Sequence, residues 1–158
     1  MTDLPDLLPV EPGYKHLLRA RLALMWLLLS GTALIAGYAL DDATQFAMLI
    51  PAAVLLAGLL VVAVAPARIY RRLRYALSER MLQVVRGWLF HTDTIVPLVR
   101  VQHLDVVRGP FDKMFGTATL VLHTAGTHNS IVTVPGLAPD QAEAMREIIR
   151  EHVRTDFA

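Results

Sequence analysis

"LALMWLLLSGTALIAGYAL", residues 22–40, is a run of 19 residues without a single charge. Asp41 and Asp42 follow it, and a second run of 25 uncharged residues, "ATQFAMLIPAAVLLAGLLVVAVAPA", then extends from residue 43 to residue 67. A helix needs about 20 apolar residues to cross the roughly 30 Å hydrocarbon core of a bilayer. Both runs meet that length, so the sequence predicts an antiparallel hairpin of two membrane spans.

A cleaved signal peptide is the alternative interpretation of the first run, with Gly37-Tyr38-Ala39 as a passable cleavage site. Against it, the preceding flank carries three acids, and the apolar run is longer than the usual 7–15 residues of a signal peptide. A second span also follows at once. Two retained helices are therefore the favoured interpretation.

Basic residues flank the outer ends of the hairpin, and acids occupy its link. The basic residues are Lys15, Arg19, Arg21, Arg68, Arg71, Arg72 and Arg74. Cytoplasmic flanks of membrane spans carry an excess of Lys and Arg. We therefore expect a multi-pass protein of the cell's inner membrane with both termini in the cytoplasm and Asp41 and Asp42 outside.

Small residues predict where the two spans touch. Ala33 and Gly37 form one pair four residues apart, and Ala53 and Ala57 form another at a similar depth. Small residues allow helix backbones to approach closely in lipid. The alternative is that such residues are simply common in membrane helices.

The part of the chain after the hairpin alternates apolar and polar residues over short stretches, which is typical of β-strands. Gly, Pro and Ser residues separate these stretches. The predicted strands are Tyr75–Ser78, Met81–Trp88, His91–Leu98, Val101–Val107, Thr117–Ala125 and "IVTVPGL" at residues 131–137. The stretch from Arg108 to Gly116 is predicted to be a turn region with one helical turn bracketed by glycines.

The period changes to that of a helix after Ala138. Apolar and neutral residues at 3.6 spacing predict one buried face, formed by Gln141, Met145, Ile148, Ile149, His152 and Val153. A terminal helix commonly covers the open end of a bent sheet or split barrel. The predicted fold class is therefore an α+β membrane protein: an N-terminal transmembrane helical hairpin, then an antiparallel split β-barrel capped by a C-terminal helix.

Motifs spread over residues 14–155 resemble the bacterial pleckstrin-homology-like (PH-like) domain of small membrane proteins, in its compact two-span form. They are Tyr75-x-Leu77, Arg86-Gly87, "VPLVRVQHLD" with Pro97, Arg100, Gln102 and His103, "GPFDKMFGTATL" (Gly109–Leu120), "HTAG" (His123–Gly126) and "VPGL" (Val134–Leu137). The resemblance implies two orthogonal antiparallel sheets closed by the C-terminal helix, and a place in the bacterial inner membrane. It supplies no catalytic residues.

The residue types give little support to an enzyme, a metal site or a cofactor site. The chain has no cysteine, and none of its six histidines forms the i, i+4 helical pair of a zinc site. His103 and Asp105 share a strand face and could orient a base, but no nucleophile accompanies them; a His–Asp hydrogen bond is the simpler interpretation. We therefore predict no catalytic, metal-binding or cofactor-binding residues, and no cofactor.

Two classes of partner are also disfavoured. From Arg68 onward the chain has 12 Lys and Arg against 9 Asp and Glu, which is too weak an excess for a nucleic-acid-binding face. The hairpin "LSERM" carries Arg80 beside Glu79, whereas phosphoinositide-binding PH domains place a cluster of basic residues there. We expect neither nucleic acid nor a specific phosphoinositide as ligand.

Two surfaces remain as candidate sites. The predicted contact with the membrane surface consists of Arg68, Arg71, Arg72 and Arg74. If the second span continues as a helix, Tyr75 would share their face; the alternative is that these arginines act only as a topology signal. The predicted partner surface consists of Arg100, Gln102, Leu104, Phe111 and Phe115, although both phenylalanines could instead fill the barrel.

The sequence thus favours a non-enzymatic, membrane-anchored interaction module that displays a small barrel to a protein partner or to a second copy of itself. The first alternative is a lipid- or peptide-sensing envelope-defence protein that contacts the membrane surface directly, and the second is an enzyme of unknown type. The expected division of the chain is a cytoplasmic segment at 1–21, a transmembrane hairpin at 22–69, and a PH-like domain at 70–158.

Overall fold

The computed structural model describes residues 6–40, 48–88, 90–125 and 131–156. Two long helices come first, α1 at Gly13–Leu40 and α2 at Leu49–Arg72. By length and composition both can cross a membrane, and only 6% and 22% of their most apolar segments are buried inside the protein. The core helix of a soluble protein would be mostly buried, so these exposed apolar surfaces fit a lipid environment. Asp41, Asp42 and the rest of the predicted link lie outside the described residues.

The two helices meet at a glycine that the sequence analysis did not single out. A Cβ atom at Gly58 would lie 3.0 Å from the Trp26 ring, so a larger residue there would have to displace that ring by a few tenths of an ångström. Gly37 on α1 is also buried. Ala53 and Ala57 are exposed, however, so the prediction for that pair is wrong. The contact face of α2 runs through Pro51, Gly58 and Ala65, at spacings of seven residues, or about two turns.

Antiparallel strands follow α2 and form two sheets. The first sheet has the order β1-β2-β3-β4 and the second has the order β5-β6-β7. The strands are β1 (Leu8–Pro9), β2 (Arg74–Leu77), β3 (Met81–Arg86), β4 (Thr92–Pro97), β5 (Val101–Val107), β6 (Ala118–Thr124) and β7 (Ile131–Leu137). The predicted strands are confirmed to within two residues at each end. No described strand pairs across the two sheets, so the predicted closed split barrel is not confirmed.

The C-terminal helix α4, Pro139–Asp156, packs over the core between the sheets. Its buried residues are Ala142, Met145 and Ile149, and Val153 continues the stripe at half burial. Ile148 is 47% exposed and Gln141 is exposed, so the predicted face was wrong at these two positions. Each lies one residue, or about 100° of helix rotation, before a buried residue of the stripe.

The segment before the first span belongs to the packed structure, which the sequence analysis missed. Leu8 pairs with Tyr75 on β2, and the N–H of Glu11 donates a 2.8 Å hydrogen bond to the carbonyl oxygen of Gly136 at the end of β7. Val10 between them is only 3% exposed in the core. This short segment therefore connects the edge of the first sheet to the last strand of the second.

A short helix, α3 at Pro110–Phe115, joins β5 to β6 and packs on the start of α1. Gly109 and Gly116 bracket it, as predicted, and Gly116 adopts φ +65°, a conformation that favours glycine. Its buried carboxylate, Asp112, accepts hydrogen bonds from the Gly109 N–H at 3.1 Å and the Thr117 hydroxyl at 2.9 Å. These bonds fix α3 in the position where α1 reaches it.

Candidate functional site

A groove of about 550 Å³ lies between the edge strand β5 and the helix α4. Among the described strands β5 pairs with β6 alone, so its other edge faces this groove. An edge strand presents unpaired backbone N–H and C=O groups to whatever lies beside it. The groove is lined by Val101, Gln102, His103, Leu104, Arg146, Arg150 and Val153.

The strand side of the groove owes its shape to an irregularity in β5. The register with β6 shifts between Val101 and His103, which leaves Gln102 exposed at the bulge. Leu104 follows it, half-buried and packed against the core. The groove wall is thus a backbone edge with one exposed amide side chain and an apolar floor.

The helix side of the groove is basic. Arg146 and Arg150 lie four residues apart, on successive turns of one face of α4. Arg150 lies 3.9 Å from Glu147, and both side chains are about two-thirds exposed. A pair this open is worth about 0–1 kcal/mol, so it leaves the Arg150 guanidinium available to another anion.

The structure brings only part of the predicted partner surface together. Gln102 and Leu104 line the groove, whereas Arg100 is exposed in a short 3-10 turn just before β5. The two phenylalanines lie elsewhere, on α3 against α1. The Phe115 ring stacks 6.5 Å from His16, and the Arg21 guanidinium lies 5.9 Å from the centre of the Phe111 ring.

Sequence reasoning missed Arg146 and Arg150. Their spacing predicts that they lie on the solvated face of an amphipathic helix, which is correct for the helix taken alone. Nothing in the local pattern indicates that β5, more than 40 residues earlier, passes beside that face. Only the tertiary packing of α4 brings them to the groove.

Arginines surround the end of α2, where the apolar helix meets the sheets. Arg68, Arg71 and Arg72 are exposed and still helical, and Arg74 is the half-buried first residue of β2. Helix geometry ends at Leu73, so Tyr75 does not share their face. Tyr75 lies in β2 and is only 3% exposed. Burial raises the pKa of its phenol above 10.0, and the negative charge of Glu11 raises it further.

Two histidines flank a carboxylate on the outer face of the second sheet. His103 pairs with His123 across β5 and β6, and their Nε2 atoms lie 3.0 Å and 3.5 Å from Asp105. The cluster is open to solvent, and the part of the chain that the structure describes contains no group of three such residues able to hold a metal ion. The predicted His103–Asp105 hydrogen bond is present.

Comparison with known proteins identifies related sequences. The family model described as "Bacterial PH domain" matches residues 21–153. The UPF0699 transmembrane protein YdbS of Bacillus subtilis (strain 168) is 34% identical over 100 residues, which are 63% of this chain. The chain spans 61% of the length of that relative. No solved structure matches the chain.

Proposed function

The chain belongs to the bacterial PH domain family, and from that membership we propose that it is a non-enzymatic interaction module anchored by two spans in the bacterial inner membrane. On this proposal residues 1–21 and the PH-like domain at 70–158 lie in the cytoplasm, and the hairpin at 22–69 spans the bilayer. The two sheets and α4 act as a PH-like split barrel. The domain offers the groove between β5 and α4 to a protein partner.

The observation that carries the proposal is an open strand edge beside two arginines. An extended segment can add to a sheet edge, with main-chain hydrogen bonds giving affinity and side-chain contacts giving specificity. Arg146 and Arg150 favour acidic side chains on the segment, because charge-assisted hydrogen bonds to carboxylates are stronger than neutral ones. We therefore propose an extended, acidic segment of a partner protein as the occupant of the groove.

The size of the groove suggests a transient complex. Each backbone hydrogen bond contributes about 0.5–1.5 kcal/mol net, and a segment of four residues makes roughly two to four of them. Losses of translational and rotational freedom offset much of that gain. Anchoring both proteins in one membrane raises their effective concentration, so weak affinity is sufficient there.

Site-specific photo-crosslinking in cells tests the proposal. A photoreactive amino acid at Gln102 should give an adduct whose crosslinked peptide is extended and acidic, while the same residue at Val107 should not. Val107 is exposed at the far end of β5 and serves as the matched control.

Charge reversal then distinguishes specific binding in the groove from nonspecific adhesion to the surface of the domain. R146E/R150E should abolish the Gln102 adduct. R80E/R108E makes the same charge change on exposed arginines outside the groove and should leave the adduct intact. Equal adducts at both crosslinking positions, or an adduct indifferent to R146E/R150E, would contradict the groove proposal. An adduct between two copies of the chain would identify the partner as the protein itself.

The second candidate function is a lipid- or peptide-sensing role in envelope defence, with the domain resting on the membrane. The exposure of Arg68, Arg71 and Arg72 at the end of α2 favours it. Each basic residue near an anionic leaflet contributes about 1 kcal/mol of attraction. We propose that Arg68, Arg71, Arg72 and Arg74 contact lipid headgroups. In liposomes, charge-neutral variants at Arg71 and Arg74 should loosen that contact only when anionic lipid is present.

A further inference from the structure

The turn between β3 and β4 exposes two aromatic side chains next to the C-terminal end of α2. Trp88 is 38% exposed and Phe90 is 83% exposed. The value for Phe90 is higher than that of any large apolar side chain described in the two spanning helices, where Ile35 reaches 72%. Exposed apolar patches mark membrane or protein contacts, and two aromatic rings on one turn are a candidate for such a contact.

A hydrogen bond holds this turn against the last residue of α2. The Nη1 atom of Arg72, at the last position of α2, donates to the carbonyl oxygen of Trp88 at 3.0 Å. Arg72 lies four residues beyond Arg68, the first charge after the apolar run, which is about 6 Å of helix rise. The headgroup region is roughly 5–8 Å thick on each side of the hydrocarbon core. If Arg68 marks the edge of the hydrocarbon core, the backbone of Trp88 lies at headgroup depth.

Gly87 and Phe90 lie close together at the two sides of the turn. A Cβ atom at Gly87 would lie 2.4 Å from the carbonyl oxygen of Phe90, so only glycine permits the chain to close this tightly. This close approach keeps Phe90 beside the end of β3. Leu89 lies outside the described residues.

The charges around the turn are compatible with a lipid surface. Arg71 and Arg72 are exposed at the end of α2. Arg86, which precedes the turn on β3, is half-buried and donates to the carbonyl oxygen of Thr133. The nearest acid on the same hairpin is Asp93, whose carboxylate accepts hydrogen bonds of 3.0 Å and 2.8 Å from the Gln83 amide. Aromatic rings with adjacent arginines are the side chains that settle at the membrane interface.

We propose that Trp88 and Phe90 insert into the interface of the cytoplasmic leaflet, between phospholipid headgroups and the upper acyl chains, as a second attachment of the PH-like domain to the membrane. The end of α2 is the first attachment. This contact adds to the packing of α1 on the domain in fixing the orientation of the domain at the membrane. This inference depends on the membrane location of the hairpin and not on the groove.

Fluorescence tests the position of Trp88. The chain has two tryptophans, so W26F leaves Trp88 as the sole reporter in the full chain reconstituted in liposomes. Phospholipids brominated at a shallow acyl position should quench its emission at least twofold more than phospholipids brominated near the chain ends. Emission that bromolipids leave unchanged and aqueous iodide quenches fully would overturn the proposal.

A second measurement covers the case in which W26F disturbs the contact with Gly58. The chain lacks cysteine, so F90C and I95C each give a single site for a nitroxide label. Ile95 is 54% exposed on the same hairpin, three residues or about 10 Å along β4 from its first residue, Thr92. At position 90, membrane-soluble oxygen should relax the nitroxide label severalfold more than an aqueous nickel complex does. At position 95, the nickel complex should relax the label more than oxygen does. Aqueous behaviour at both positions would contradict insertion.

Discussion

The guanidinium of Arg21 lies 3.3 Å from the carboxylate of Asp112. This ion pair joins α1, the helix of the first span, to α3, the short helix between β5 and β6. Asp112 is 6% exposed at its side chain and has two further hydrogen-bond donors, so this carboxylate is fully satisfied. With Leu17 fully buried one turn earlier, α1 is continuous with the packed domain rather than a flexible tether. A rigid connection transmits the orientation of the hairpin to the domain.

Asp112→Asn should destabilise the full chain by about 2–4 kcal/mol, because a buried charged acceptor with three donors is replaced by an amide that cannot accept from all of them. Denaturant unfolding in mild detergent measures this. Asp105→Asn is the matched control at an exposed carboxylate and should cost less than about 0.5 kcal/mol. Arg21→Ala should cost about 1 kcal/mol or less, since half of that side chain is exposed.

Val10→Ala should destabilise the chain by about 1–2 kcal/mol, because Val10 fills the core from the segment before the first span. Leu8→Ala, on the same short strand but 49% exposed, should have less than half that effect. Thermal unfolding of the two variants gives the comparison. Equal, small effects would mean that the segment is not part of the folded core. On the same grounds, a fragment of residues 68–158 should be less stable than the full chain.

Ile149→Ala should cost about 2–5 kcal/mol, the usual range for truncating a fully buried isoleucine. Its neighbour Ile148→Ala removes the same atoms from a site that is 47% exposed and should cost less than about 1 kcal/mol. Chemical denaturation of each full-length variant distinguishes the two. A larger loss at Ile148 would indicate that α4 packs with a different face.

Alkaline solution should weaken the fold through Tyr75. Burial raises the pKa of this phenol above its ordinary value of 10.0, so the folded state holds the proton more tightly than the unfolded state. Stability is then unaffected below pH 10 and falls as pH rises through the raised pKa. Tyr75→Phe should reduce the steepness of that decline. Identical pH profiles for the two proteins above pH 10 would exclude Tyr75 as a cause.

Most of the fold could be predicted from the sequence because its signals are local. Two uncharged runs define the spans, alternation defines the strands, and Gly109 and Gly116 define the turn around α3. The strand β1 escaped prediction because two residues carry no periodicity. The strand predicted at Tyr75–Ser78 is present as β2, which begins at Arg74, so the alternative of a helix continuing to Tyr75 is wrong.

The candidate site was harder to predict because it joins distant parts of the chain. Gln102 and Leu104 could be selected as polar and apolar residues near a sheet edge. Arg146 and Arg150 could not, since a solvated helix face and a groove wall have the same pattern until α4 is packed against β5. The sequence around Phe111 and Phe115 does not indicate that α1 lies beside them. Their contacts on α1, Arg21 and His16, lie 90 or more residues earlier in the chain.

Membrane topology is the most direct test of the account, because a cytoplasmic partner can reach the groove only if the domain lies in the cytoplasm. The chain has no cysteine, so Thr44→Cys in the link and Glu143→Cys on the exposed face of α4 each give a single thiol. In intact cells an impermeant thiol reagent should label Cys at 44 and spare Cys at 143, and both should react once the membrane is permeabilised. Labelling at 143 in intact cells, with 44 protected, would place the domain outside and contradict the account.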